Sequence, residues 1–149
     1  MMLHQLGHQL THIVNLKRRL MDSRLQACGI TRSQRQILLM LYWHGDCTQK
    51  NLLLHLDMDP GQLARTLDGL EKDGYVKRSP WGANRRCLFV ELTERCREER
   101  MPQLLEAVES VDSQLFQGFD KEEQMHVQKL LDRLQANLQS NGERDSHED

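Results

Sequence analysis

The sequence predicts a mainly α-helical fold with one small β-hairpin, and three patterns predict it. Apolar residues recur at helical spacing through residues 3–27 and 93–138. Between them, two short helical stretches are separated by a three-residue turn at 57–59. Farther on, apolar residues alternate with other residues along 87–92, the period of a half-buried strand. Together these patterns predict a winged helix-turn-helix between N-terminal and C-terminal flanking helices.

The first flanking helix spans residues 3–27 and ends at the Cys28-Gly29 pair. Residues 31–34 (Thr-Arg-Ser-Gln) have the spacing of a capping box, in which the first and last side chains bond each other's backbone N–H groups. They therefore begin the next helix. The apolar face of the first helix carries Leu6, Leu10, Ile13, Leu20 and Met21, and the second helix is expected to bury Ile37, Leu38, Leu41 and Tyr42.

The helix-turn-helix follows directly. Thr48 begins a short helix that carries Leu52, Leu53 and Leu56. After the turn, Asp59 caps a second helix, Pro60 suits its first position, and Gln62 completes a capping box. Leu63, Leu67 and Leu70 share one face of this helix, and Gly74 supplies its C-terminal stop. The opposite face carries Gly61, Gln62, Arg65, Gly69 and Lys72.

A basic hairpin follows this helix. We expect strands at 75–79 and 87–92, joined by a loop at 80–86. From Tyr75 to Val90 the chain contains no acidic residue and four basic ones, Lys77, Arg78, Arg85 and Arg86. An outward arginine near a helix start, beside a basic hairpin, is typical of winged DNA-binding proteins. The helix enters the major groove, and the hairpin, or wing, contacts phosphates or the minor groove.

Specific contacts can be assigned on this basis. We expect Gln62 and Arg65 to read base edges, and Arg85 and Arg86 to hold phosphates or the minor groove. The helix starts near Ser33 and Thr48 add backbone N–H contacts to phosphates. The full predicted DNA-contact set is Ser33, Thr48, Gln49, Gln62, Arg65, Thr66, Arg85 and Arg86.

The C-terminal flank consists of two helices. Thr93 begins the first, Pro102 is expected to kink it, and Gly118 ends it. Asp120 caps the second, and from Ser140 we expect a disordered acidic tail. The apolar residues of these helices are Met101, Leu104, Leu105, Val108, Val111 and Leu115, then Val127, Leu130, Leu131, Leu134 and Leu138.

The flanking helices have more apolar surface than one small winged helix-turn-helix domain can cover. Packing against a second copy is the simplest solution, and a two-fold dimer would present two reading helices to a pseudo-palindromic site in double-stranded DNA. A monomer with the flanks folded back is the alternative. We therefore assign residues 1–30 and 93–139 to a helical dimerisation region, 31–92 to the DNA-binding domain and 140–149 to the tail.

Composition sets further limits. The net charge of −2 does not itself suggest nucleic acid, but the acid-free wing contrasts with the acidic C terminus. The N terminus is too interrupted by His and Gln for a signal peptide, and no apolar run approaches a membrane span, so we expect a cytoplasmic protein without membrane contact. The four cysteines lack CxxC spacing, which indicates neither a disulfide framework nor a zinc site. They are Cys28, Cys47, Cys87 and Cys96.

The segments 36–38, 70–78, 84–86 (Asn-Arg-Arg) and 92–94 (Leu-Thr-Glu) resemble the MarR family of bacterial transcription regulators, most closely its SlyA-like branch. The resemblance covers about residues 3–138. It implies an obligate dimer, a helical scaffold with a winged reader, and repression relieved by a small molecule or an oxidant. It also implies DNA contacts by Gln62, Arg65 and Thr66 and minor-groove entry by Arg86. Asn84 departs from the family's usual Asp, which implies a weaker pairing at the wing.

The signal that releases DNA is open at this point. A small aromatic anion could be held near residues 17–19 (Lys-Arg-Arg) or His44, although such charges are ordinarily surface groups. Cysteine sensing is a second option, with Cys87 after two arginines and Cys28 at a helix end, although a buried inert thiol is the usual case. His4, His8 and His12 share the spacing of a helical metal site but lack a flanking carboxylate or thiol, so no metal is assigned.

Two other classes of function compete with DNA reading. An enzyme would need a nucleophile with its base or a phosphate-cradling glycine loop, and the sequence shows no such signature, so no catalytic residue or cofactor is assigned. A winged helix used for protein contact would pair Arg65 and Arg86 with an acidic partner. Such a protein would show no preference for a DNA sequence.

Overall fold

A computed structural model describes the backbone of residues 2–145 and the side chains of residues 4–83 and 86–140. The chain divides into two compact units, Met1–Val111 and Asp112–Asp149. The helices are α1 (Met2–Leu25), α2 (Arg32–His44), α3 (Gln49–His55), α4 (Pro60–Lys72), α5 (Met101–Leu115) and α6 (Lys121–Asp145). The strands are β1 (Cys47–Thr48), β2 (Val76–Trp81) and β3 (Asn84–Leu92).

The predicted helix starts are largely present. Thr31 and Gln34 form the capping box of α2, with Gln34 N–H donating to Thr31 Oγ1 at 3.2 Å and Thr31 N–H to Gln34 Oε1 at 3.0 Å. Thr48 accepts from the N–H of Asn51 and caps α3. Asp59 accepts from the N–H of Gln62 at 2.8 Å and caps α4. Each cap satisfies N–H groups that have no partner within the helix.

The wing differs from the predicted hairpin. Both strands extend into the predicted loop 80–86, and only Gly82 and Ala83 form the turn, with φ of 65° at Gly82. Trp81 stacks on Phe89 with ring centroids 4.5 Å apart, which extends the pairing toward the turn. Pro80 fits because β2 is an edge strand and loses no ladder bond to a further neighbour.

The sheet has a third strand that the sequence pattern did not predict. Its antiparallel order is β1-β3-β2, and Cys47 and Thr48 pair with Val90 and Phe89. Two residues are too few for a visible alternation. The strand lies between α2 and α3 in the chain and pairs with β3 of the wing. The chain therefore enters the sheet both just before α3 and just after α4.

The first unit has one hydrophobic core. It includes side chains from α1, from the helix-turn-helix and its sheet, and from α5. Tyr42 was expected to be buried on α2, but it is 41% exposed, because Ile37, Leu38 and Leu41 already fill the inward face of that helix. Most of the core is formed by Met21, Leu25, Ile37, Leu38, Leu41, Leu52, Leu63, Leu67, Leu70, Val90, Met101, Leu104 and Val111.

Pro102 was expected to kink the helix that begins after Thr93. The structure shows a π turn, Cys96–Arg100, followed directly by α5, which begins at Met101 and has Pro102 as its second residue. A proline lacks the N–H that an α-helix needs, and a wider turn is one way to accommodate it. The predicted disturbance therefore takes the form of a π turn within a continuous helical segment.

A charged cluster joins α1 to α2. The Asp22 carboxylate is bound by the guanidinium groups of Arg32, at 2.5 Å, and of Arg35. Arg35 is almost fully buried and also donates to the backbone oxygen of Arg18 at 3.2 Å. Hydrogen bonds from Arg32 and then Arg35 hold the pKa of Asp22 below its ordinary value of 3.8.

We expect Asp22→Asn to lower the free energy of unfolding at neutral pH by about 1 kcal/mol, because the buried Arg35 loses its charged partner while Asp22 is partly solvated. The folded pKa of Asp22 is depressed, so its contribution is present above pH 3.8 and is lost as the pH falls through the folded pKa. Urea unfolding of the two proteins at pH 7 and pH 3 should show the gap narrowing in acid. Asp112→Asn, an exposed position on α5, should show no gap at either pH.

The second unit consists of the end of α5, a turn and α6. Phe116 and Phe119 meet edge to face with centroids 5.7 Å apart, and Asp120 and Glu123 form the capping box of α6. The helix continues to Asp145, past Ser140, from which the sequence predicts a disordered tail. Ser140 Oγ donates to the backbone oxygen of Ala136 within the continuing helix. Residues 146–149 lie outside the described part of the chain.

Across residues 2–145, none of the helices is both long and apolar enough to cross a membrane.

Candidate nucleic-acid interface

Arg65 lies where the sequence placed it, on the exposed side of α4 and one to two turns from its start. Its guanidinium folds back over Gly61, and a Cβ built on Gly61 would lie 3.1 Å from Arg65 Nη1. Leu63, Leu67 and Leu70 anchor the opposite face in the core. The helix therefore presents a long cationic side chain above a small residue, an arrangement that suits insertion into a groove.

Gln62 does not complete the predicted capping box of α4. Its backbone N–H bonds Asp59, but its side chain does not return to complete the capping box. Gln62 Nε2 instead donates to Ser33 Oγ on α2 at 2.8 Å. The structure thus brings two predicted DNA-contact residues together, and their link ties α4 to the start of α2. Thr66 Oγ1 donates to the backbone oxygen of Gln62 at 2.8 Å, so its proton is already used within the helix.

Gln49 and Arg86 meet across a cavity of about 440 Å³ between α3, the start of α4 and β3. Lys50, which the sequence analysis did not single out, lines the same cavity. Gln49 Oε1 is buried and has no hydrogen-bond partner among the described residues. Thr48 Oγ1 accepts from the N–H of Asn51 in capping α3, which leaves its hydroxyl proton to donate to another group. The remaining lining residues are Leu53, Pro60, Leu63, Cys87 and Leu88.

The folded wing carries fewer unpaired positive charges than its acid-free sequence suggests, because acidic side chains of α4 pair with one of its arginines. Lys77 and Arg86 are exposed, but Arg78 bonds the carboxylates of Asp68 and Glu71, which come from α4. Sequence neighbours alone could not show this, because the acids precede the acid-free stretch. The side chains of Asn84 and Arg85 lie outside the described residues, so the predicted contact of Arg85 and the predicted effect of Asn84 stay predictions.

Two further arginines, Arg95 and Arg100, link the winged helix-turn-helix to the helical segment that follows it. Arg95 and Arg100 each place a guanidinium carbon about 5 Å from the centre of the buried Tyr75 ring, at 5.1 and 4.9 Å. Arg95 Nη1 also donates to the backbone oxygen of Asp73, and Arg100 Nη1 to that of Cys28. These contacts connect the turn after α4 to the segment from Arg95 to Arg100, and that segment to the turn after α1.

The four thiols differ in environment. Burial raises the pKa of Cys96 to about 11 despite the nearby Arg97 and Arg100, which holds this thiol in its unreactive protonated form. Burial and then the charge of Asp46 raise the pKa of Cys47. Cys28 and Cys87 are partly exposed. Among the described residues, His4, His8 and His12 included, no three His, Cys, Asp or Glu side chains are grouped closely enough to hold a metal ion.

The MarR family model matches residues 30–88, the segment that contains α2, the helix-turn-helix and most of the wing. The solved structure of MarR is 29% identical, with a TM-score of 0.73 over 89% of this chain and 96% of that one. The transcriptional regulator PA3341 is 31% identical, with a TM-score of 0.80 over 91% of this chain and 98% of its own. BpsR of Bordetella bronchiseptica, solved in connection with regulation of its DNA binding by 6-hydroxynicotinic acid, shares the fold at 19% identity, with a TM-score of 0.70 over 87% and 91% of the two chains.

Proposed function

The chain belongs to the MarR family of transcription regulators, and we propose that it is a homodimeric repressor that binds a pseudo-palindromic operator. The observation that carries the proposal is the exposed Arg65 on α4 with the exposed Arg86 on the adjoining wing. The membership of the SlyA-like branch stays a prediction. Residues 31–92 would form the DNA-binding domain, and residues 1–30 and 93–139 the dimerisation region.

The reading helix would enter the major groove at its N-terminal end. Arg65 would contact base edges, and Gln62 would do so after exchanging its bond with Ser33 for one to a base. Thr66 lies one turn after Gln62 and would contact DNA through its remaining acceptor capacity. The starts of α2 and α3, near Ser33 and Thr48, would donate backbone N–H groups to phosphates.

The wing would contact the same DNA from the side. Arg85 and Arg86 would hold phosphates or enter the minor groove. Lys50 and Gln49 line the cavity with Arg86 and would approach the backbone between the two groove contacts. Electrostatic attraction would then come from this local cluster rather than from the net charge of −2.

Release from DNA would follow binding of a small aromatic ligand. The DNA binding of the structurally similar BpsR is regulated by 6-hydroxynicotinic acid, an aromatic acid. In this chain the cavity beside Arg86 has apolar walls and cationic edges, which suit a compound of that class. A ligand there would compete with DNA for Gln49 and Arg86.

Cysteine sensing is the second candidate, and the position of Cys87 favours it. The thiol is partly exposed and lines the cavity together with the cationic side chains of Arg86 and Lys50. Cys28 is also partly exposed. Cys96 does not fit a sensing role, since burial keeps its thiol protonated. A winged helix for protein contact is the third candidate and would show no preference among DNA sequences.

A gel-shift titration against the DNA that flanks this protein's own gene tests the proposal, with random DNA as competitor. Each titration is run reduced, with peroxide and with salicylate. We expect specific binding that salicylate weakens. Loss under peroxide alone would replace the ligand by cysteine sensing. If the protein binds random DNA as well as the flanking DNA, the titration is repeated with fragments selected from the genome. Equal binding to those fragments and to random DNA would contradict the assignment as a sequence-specific regulator.

Arg86→Ala tests the wing contact. If Arg86 holds a phosphate, its loss should weaken binding to all DNA sequences and lower the steepness of log K against log salt by about one unit. The measurement is the dissociation constant at four salt concentrations on operator and random DNA. Lys129→Ala, which removes one exposed charge from α6, is the matched control. An unchanged slope for Arg86→Ala would remove Arg86 from the phosphate contacts.

A further inference from the structure

Arg78 connects β2 to two acidic residues on one face of α4. Its Nη2 donates to Asp68 Oδ1 at 2.5 Å and to Glu71 Oε1 at 3.3 Å. Its Nε and backbone N–H both donate to Glu71 Oε2, at 3.3 and 3.1 Å. Asp68 and Glu71 are three residues apart and so lie on the same side of the helix. We call these three residues the wing clamp.

The wing clamp leaves Arg78 poorly suited to contact DNA. The side chain of Arg78 is 15% exposed, whereas those of Asp68 and Glu71 are 66% and 43% exposed. Two carboxylates pair with one guanidinium, so the three side chains of the clamp together carry a net negative charge. The guanidinium is already paired with these two carboxylates and is not available to a phosphate without breaking those bonds. The charge of Arg78 is therefore used within the protein.

The position of the clamp suggests a role in geometry. Between α4 and β2 the chain turns at Gly74, with φ of 80°, and Tyr75 N–H bonds the backbone oxygen of Leu70 at 2.8 Å. This turn joins the end of the helix to the start of the strand. The clamp adds a second connection, from Arg78 farther along β2 to residues within the last two turns of α4. Two separated connections restrict rotation of a hairpin about a helix more than one does.

We propose that Arg78 is a positioning residue for DNA recognition: with Asp68 and Glu71 it holds the wing at the angle to α4 at which Arg65 and Arg86 reach two grooves of one operator together. This inference rests on the proposed function. It adds a determinant of specificity that itself makes no DNA contact. Without the clamp, both elements would still fold and would still bear their charges, but they would no longer engage the same DNA together.

Replacing Asp68 and Glu71 by their neutral amides distinguishes an effect of wing position on DNA affinity from a simple effect of charge. Coulomb attraction alone predicts that Asp68→Asn and Glu71→Gln bind DNA more tightly, because each removes a negative charge near the phosphates. If the clamp positions the wing, the same variants should instead bind the operator more weakly. We expect the double variant to bind the operator about tenfold more weakly, within the range of coupled contacts, and to bind random DNA as well as or better than wild type.

A double-mutant cycle then tests the link to the wing. In the Arg78→Met background, Arg86→Ala should cost much less operator affinity than in wild type, because the wing is already misplaced. Lys77→Met, which removes a neighbouring exposed charge from the same strand, is the matched control, and its effect should add independently to that of Arg86→Ala. Arg78→Lys keeps the charge but not the fork and should recover only part of the affinity. Melting temperatures of all variants identify any that fail to fold; the Asp68 and Glu71 variants carry the test if Arg78→Met does.

The outcomes are distinct. Weaker operator binding by the neutral acid variants, together with a non-additive cycle for Arg78 and Arg86, supports the clamp. Tighter binding by the acid variants, or an additive cycle, overturns it while specific binding by wild type preserves the proposed function. A wild type without sequence preference overturns both.

Discussion

Arg65→Ala should reduce the affinity for the operator about 5- to 150-fold, which corresponds to about 1–3 kcal/mol for a base contact. The side chain is exposed near the start of α4, while the opposite face of the helix is fixed in the core. Its backbone and the three buried leucines do not depend on the guanidinium, so the variant should fold normally. The loss should fall on specific binding and leave binding to random DNA nearly unchanged.

Two measurements check this expectation. Dissociation constants on the operator and on single-base variants should show which position loses its preference when Arg65 is removed. Arg133→Ala, an exposed arginine on α6, is the charge-matched control and should retain the full preference. Equal operator binding by Arg65→Ala and wild type would exclude Arg65 as a base-reading residue.

The sequence predicted well the features that depend on neighbouring residues. Thr31 with Gln34, Thr48, and Asp59 with Pro60 cap the helices as expected, because a cap needs only a side chain and N–H groups two or three residues away. The inward leucines of α4 follow from helical spacing in the same way. Local chemistry was also sufficient to locate Arg65 on the exposed face.

The sequence predicted poorly the features that depend on the tertiary arrangement. Gln62 bonds Ser33 across 29 positions of the chain, which no capping pattern reveals. The sequence places Arg78 among the basic residues of an acid-free wing, yet folding places Asp68 and Glu71 against it. The hairpin also continues closer to its turn than its composition suggested, because Trp81 and Phe89 stack across the strands.

The exposed apolar residues of α1 and α6 carry the proposal of a dimer. On α6, Leu130, Leu131 and Leu134 are each 42% exposed. On α1, Leu6 is 46% and Val14 42% exposed. Singly exposed leucines are ordinary, but repeated ones at helical spacing mark a surface that another protein covers. A second copy of this chain is the occupant that also accounts for the proposed pseudo-palindromic operator.

Leu134→Glu should therefore convert the proposed dimer into monomers. The new carboxylate would lose its hydration in an apolar interface without gaining a charged or hydrogen-bonding partner. The free energy of this desolvation exceeds the free energy gained by burying the surrounding apolar side chains. Once the two reading helices are separated, the affinity for the full operator should fall about 10²- to 10⁴-fold, because the second half-site no longer benefits from tethering. Binding to an isolated half-site should be unchanged, since Arg65 and the wing are intact in each monomer.

Analytical ultracentrifugation gives the mass, and titration of full and half operators gives the affinities. Gln135→Glu adds the same charge to an exposed polar position next to Leu134, so it should remain a dimer and bind normally. If Leu134→Glu keeps the dimer mass, this face of α6 is not the interface. If it becomes a monomer but binds the full operator as wild type does, the two reading helices do not act together, and the pseudo-palindromic operator must be replaced by a site read by one copy.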